Sequence, residues 1–190
     1  MEVHENYGEK QYLVMMGGLY IKMVSLKIIG DWLTNSGWVS ALVQADITSS
    51  GRADAIVHGS HITCSRYAHQ ITACALYYLQ KKAYENYLDN CTSDQPMEIS
   101  ACLEDQSEKH SQCQFWCIAL EIEITILLFV KFPREGNFPL YVETLEKLVP
   151  WMFVLDHNNY ARWLPIHIRN MATLEKQHPG IFENLYQENL

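Results

Sequence analysis

The sequence predicts a mainly α-helical domain, and three observations predict it. Apolar residues recur at helical rather than alternating spacing through most of the 190-residue chain. The stretch from 61 to 89 holds neither glycine nor proline. Only one segment, residues 10–16 (KQYLVMM), has the short β-compatible apolar run of a buried strand, closed by Gly17-Gly18. The expected fold is therefore one long helix near 61–89, a buried apolar helix near 112–132, and at most a short strand near 10–16.

Each element has its own signal. Leu19, Met23, Leu26, Ile29 and Leu33 mark a helix over 19–33, stopped by Asn35-Ser36-Gly37. A short helix over Trp38 to Ala45 follows, then a turn at Thr48 to Gly51. The 61–89 helix would span roughly 40 Å at about 1.5 Å per residue. Residues 90–111 (NCTSDQPMEISACLEDQSEKHS) turn polar and acidic and contain Pro96, which reads as an exposed linker or loop. The domain thus has an N-terminal helical part (1–89), an acidic connector (90–111) and a C-terminal helical part (112–190). Pro133 to Pro139 form a sharp turn, and Pro150 and Pro165 interrupt helical pattern, each marking a kink or a new first turn.

Composition narrows the class of function. With 48% hydrophobic residues the chain can bury a real core. Against 22 acidic residues stand 14 Lys and Arg, a net charge of −8 that disfavours nucleic acid as a partner. The one local basic patch is Arg52, His58, His61, Arg66 and His69. The first thirty residues lack a secretory pattern, because Glu2, His4, Glu5 and Glu9 come first, so the expected location is intracellular, nuclear or cytoplasmic, with six reduced cysteines. Residues 115–132 (FWCIALEIEITILLFVKF) have the length of a membrane span. Glu121 and Glu123 make spanning costly, so a helix buried in protein is expected and no membrane.

The densest chemistry lies in LVPWMFVLDHNNYARWLPIHIRNM, residues 148–171. Asp156 or Asn158 is placed to cap the helix carrying Ala161-Arg162-Trp163. His167 lies one turn from Trp163 on an apolar face, the setting of a hydrogen-bonded core histidine. Arg162 and Arg169, seven apart, share a face with Ile166 and could clamp an anion or a carboxylate. Elsewhere, Glu123 falls on the apolar stripe of its helix with Trp116, Leu127 and Val130, whereas Glu121 groups with Gln114 and Thr125. A buried carboxylate must be paired, protonated or metal-bound, and an arginine such as Arg134, Arg162 or Arg169 is the expected partner. Cys113 and Cys117 are one helical turn apart, but no second pair completes a zinc set, and no nucleophile elbow is present. No metal and no cofactor is expected on these grounds.

Four segments carry a family resemblance: YGEKQYLVMMGGLYIKM, GDWLTNSGWVSALVQADITSSGRAD, REGNFPLYVETLEKLVPW and FVLDHNNYARWLPIHIRNM. Together, from about residue 7 to about 175, they resemble an uncharacterised eukaryotic family of long, repetitive, mobile-element-like proteins. That resemblance implies a transposon-derived context. Were the chain a transposase, it would imply metal-dependent phosphoryl transfer by carboxylates holding two Mg²⁺ ions about 4 Å apart. The family's blocks read G-G-L-H-I-E-M and H-I-R-D-M; here Tyr20 and Lys22 replace the His and Glu of the first, and Asn170 the Asp of the second. Three metal or proton-transfer groups are thereby missing, and Lys22 would repel a cation. The chain reads as a truncated, degenerate copy without catalytic activity of its own.

Two functional readings follow. A decayed nuclease would keep Glu123, Asp156 and His167 as its catalytic candidates, with a divalent metal as cofactor, and would bring them together around a metal-sized gap. A non-enzymatic interaction module would instead use exposed aromatic helix faces, with Tyr77, Tyr78, Tyr84 and Tyr87, to bind a protein partner or a second copy.

Overall fold

The computed structural model describes residues 16–92, 95–135 and 137–181, with side chains given outside 132–135. The expected strand, apart from Met16, falls outside the described residues. Among those described there is no strand but nine helices: α1 (Gly18–Trp32), α2 (Trp38–Gln44), α3 (Ser50–Val57), α4 (Ile62–Asn90), α5 (Ile99–Lys109), α6 (Ser111–Glu135), α7 (Phe138–Val154), α8 (Asn158–Ala172) and α9 (Leu174–Gln177). The chain divides into two compact units, one over Met23–Leu128 and the other from the described parts of Met1–Lys22 and Phe129–Leu190. The division falls within α1 and α6, not at the acidic segment.

Within Met23–Leu128, two glycines bring helices into backbone contact. A Cβ on Gly30 would sit 1.9 Å from the Val57 carbonyl oxygen, so only hydrogen lets α1 approach the end of α3. Gly59 adopts φ 63°, and a Cβ there would meet the Met23 carbonyl oxygen at 2.8 Å. The α3 to α4 connection is fixed further by Ser65, whose hydroxyl donates to the Ile56 carbonyl at 3.2 Å. The core formed around them includes Leu26, Ile28, Ile29, Leu33, Ile56, Ala68, Ile122 and Ile126.

The acidic segment differs from expectation. Its second half is helix α5, which turns Cys102 inward while most of its charged side chains face out. Ile99, Cys102, Leu103 and Gln106 share one narrow helical face, an amphipathic pattern hidden by the acidic composition. The non-helical part is tied back to α4: the Tyr84 hydroxyl donates to the Met97 carbonyl at 2.9 Å, and the Met97 amide donates to the Tyr87 oxygen at 3.2 Å. Those two tyrosines, expected as exposed contact residues, are used internally.

The second unit is dominated by the pairing of α7 with α8. Asn137 caps α7 by accepting from the Leu140 amide at 3.1 Å, with a proline in the first turn. Both helices continue through their internal prolines, Pro150 and Pro165. Asp156 does not cap α8, whose N-cap residue is His157, with no side-chain capping bond. It takes the left-handed conformation, φ 57°, that closes α7, while the His157 amide returns to the Met152 carbonyl at 2.9 Å. Aspartate tolerates that conformation better than most residues. Asp46 at the end of α2 does the same work, with φ 55° and the Ile47 amide bonded to the Leu42 carbonyl at 3.0 Å.

Helix α6 contains the stretch 111–131, long and apolar enough by length and composition to cross a membrane. In the fold its side chains divide: Ala119, Leu120, Ile122, Glu123 and Ile126 are buried, and Glu121 and Lys131 are exposed.

Candidate functional site

The first unit carries an open groove of about 550 Å³. One wall is α4, where Thr72, Ala75, Leu76, Leu79, Gln80 and Ala83 recur at helical spacing. Trp38, Ala41, Leu42 and Ala45 of α2 face them, and Leu103 of α5 with Cys113, Trp116 and Cys117 of α6 complete the lining. Alanines at 41, 45, 75 and 83 leave the space that larger side chains would fill.

Its few polar groups are already engaged. The Thr72 hydroxyl accepts from the Trp38 indole N–H at 2.7 Å and donates to the Ala68 carbonyl at 2.9 Å. The Gln80 amide donates to Cys117 Sγ at 3.2 Å. Cys113 and Cys117 stand with their sulfurs 3.9 Å apart. Burial pushes the Cys117 thiol up, away from the thiolate that nucleophilic chemistry needs. Among the described residues no group of three or more His, Cys, Asp or Glu side chains is arranged to hold a metal ion.

Behind the groove floor lies a buried ionisable pair. Trp38 stacks on the His69 ring, centroids 4.9 Å apart. His69 Nδ1 and Glu123 Oε1 are 2.8 Å apart, and both side chains are 0% exposed. Burial holds the Glu123 carboxyl above its ordinary range, and the His69 bond opposes that shift. Neither His69 Nε2 nor Glu123 Oε2 has a hydrogen-bond partner. With no solvent path the pair cannot exchange protons with a bound molecule, and its arrangement is that of a core contact. The apolar stripe of α6 located Glu123 in the interior, but the expected arginine is replaced by a histidine 54 positions upstream. Of the arginines named, the side chain of Arg134 lies outside those described. The signal for His69 was its place on the α4 stripe of Ser65, Ala68, Thr72 and Ala73, all buried.

The other candidates lie in the second unit. His167 is buried, and its Nε2 meets the Tyr141 hydroxyl at 2.7 Å. Burial raises Tyr141 to about 12 and lowers His167, so the phenol donates to a neutral imidazole whose proton sits on Nδ1, a tautomer assigned from this bond. Asp156 is exposed in the α7–α8 turn. Arg162 and Arg169 are exposed on α8 and form no ion pair among the described residues, so the internal salt bridge expected of them is absent there. Trp163, 57% exposed, lines a separate hollow with Tyr20, Ile21, Asn159 and Tyr160.

No curated protein and no solved structure matches the chain. Residues 78–190, from the middle of α4 through α9, match the family described as Domain of unknown function (DUF8702). That segment is more than half of the sequence, and the chain belongs to this family.

Proposed function

We propose that the chain is a non-enzymatic helical binding module, part of a degenerate transposon-derived protein of the kind its sequence blocks resemble. Its groove between α2, α4 and α6 receives the apolar face of an amphipathic helix from a protein partner. The observation that carries this reading is the lining, which is almost entirely carbon, with the Thr72 hydroxyl, Gln80 amide and Cys117 thiol each already hydrogen-bonded within the protein. Sites for small polar ligands need a few unspent polar groups to fix orientation, whereas a helix laid in a groove needs mainly anchors at i, i+3, i+4 and i+7. Leu79 of the groove wall is 59% exposed, and the neighbouring Tyr78, outside the lining, is also exposed. A net charge of −8 favours a partner helix with a basic outer face.

The test is fluorescence anisotropy with a labelled leucine-lysine peptide patterned for an amphipathic helix. Binding should saturate in the wild-type chain and vanish in Ala75→Trp, which fills the groove, and in Leu79→Glu. A dissociation constant weaker than about 1 mM, or unchanged affinity in Ala75→Trp, would refute the reading. Dimerisation of the chain alone, abolished by Leu79→Glu, would place a second copy in the groove instead of a partner.

A further inference from the structure

A second hollow, of about 360 Å³, lies between α3 and α4 and is separate in lining from the groove apart from Ile47. Arg52 of α3 and Arg66 of α4 both line it, with Thr48, Thr63, Tyr67 and Gln70, and no carboxylate is among its lining residues. This is where the local basic patch of the sequence resolves. Two of its other members are spent elsewhere: His69 is bonded to Glu123, and His58 Nδ1 contacts the Asp54 carbonyl oxygen at 3.1 Å.

Three features point to an anion. In a chain of net charge −8, two guanidinium groups share a concavity without a counter-charge in its walls. Arg66 Nε, closed off from solvent, has no hydrogen-bond partner, so the guanidinium is not tied to a carboxylate through that atom. The guanidinium fork and neighbouring hydroxyls match the geometry of phosphate oxygens. The hollow also exceeds the size of a bare phosphate ion, and Tyr67, 57% exposed, offers a ring face on its wall.

We propose that this hollow binds a small phosphate monoester, its phosphate between Arg52 and Arg66 and its organic group against Tyr67. The site does not depend on the groove and stands whether or not a partner helix occupies it.

Calorimetric titration of the full chain with phenyl phosphate and with inorganic phosphate, at matched ionic strength, tests it. Phenyl phosphate should bind at one equivalent and more tightly than inorganic phosphate. Arg52→Gln and Arg66→Gln should each weaken it about tenfold or more, as loss of a charge-assisted contact does. Tyr67→Ala should bring the two ligands to equal affinity, and Arg162→Gln on α8 should change nothing. Arg52 is exposed, so its variant keeps the test valid even if Arg66→Gln unfolds. Absence of saturable binding, or binding indifferent to Arg52→Gln, overturns the site. Equal affinity for both ligands in the wild-type chain overturns the monoester assignment.

Discussion

Two buried histidines, His69 on α4 and His167 on α8, sit on inward helix faces yet are handled in opposite ways. His69 meets a carboxylate and His167 a phenol. In the first pair a charge must be held in the interior or neutralised by a proton. In the second, burial favours the neutral form of both partners, and a single hydrogen bond joins the phenol to the imidazole. Burying an ionisable side chain is therefore inexpensive only when its partner agrees to stay uncharged.

The largest expected effect comes from breaking the His69–Glu123 pair. His69→Ala should destabilise the chain by about 3–5 kcal/mol in urea denaturation, because it strands a buried carboxyl and removes the ring stacked on Trp38. The double replacement His69→Leu with Glu123→Leu should recover most of that loss, since apolar side chains of similar volume often match a buried ion pair. A double variant as unstable as the single one would show that the pair specifies the core.

Tyr141→Phe should cost less, about 1–2 kcal/mol, the worth of a neutral hydrogen bond whose partner is left buried. A loss equal to that of His69→Ala would erase the contrast between the two sites.

The smallest effects are in pH dependence, and they have opposite signs. The Glu123 carboxyl is raised above 4.5 in the folded chain, so folding takes up a proton there; that contribution to stability is full below pH 4.5 and is lost as pH rises toward the folded value. His167 is lowered from 6.5, so its contribution is full above pH 6.5 and is lost as pH falls toward its folded value. Each slope is at most about 1.4 kcal/mol per pH unit, the limit for one proton. Thermal unfolding at a series of pH values should show Glu123→Gln flattening the loss on the rising side and His167→Gln flattening the loss on the falling side. Exchange of these two assignments would contradict the burial argument.

Much of this arrangement could be read in advance, and the parts that could not share a cause. The helical spacing of Leu19 to Leu33 gave α1 to within a residue at each end, and the unbroken 61–89 stretch gave α4. The apolar stripe of α6 separated buried Glu123 from exposed Glu121. Helix α5 was missed because its apolar face is only a few residues wide within an acidic composition. The sequence offers Asp156 or Asn158 as a cap for the helix ahead, but Asp156 closes the helix behind, and a left-handed conformation is not announced by an aspartate that suits both places.

By itself, then, the sequence determined the helical class, the main helices and, for α6, the face that turns inward, because periodicity is a local property of neighbouring residues. Only the tertiary structure decided that Glu123 meets His69 rather than an arginine, that Tyr84 and Tyr87 hold the chain after α4, and that Arg52 and Arg66 face one hollow. Those are meetings between distant segments. They depend on how close helices can approach, and that is set at points such as Gly30, where a single Cβ would collide with the backbone of α3.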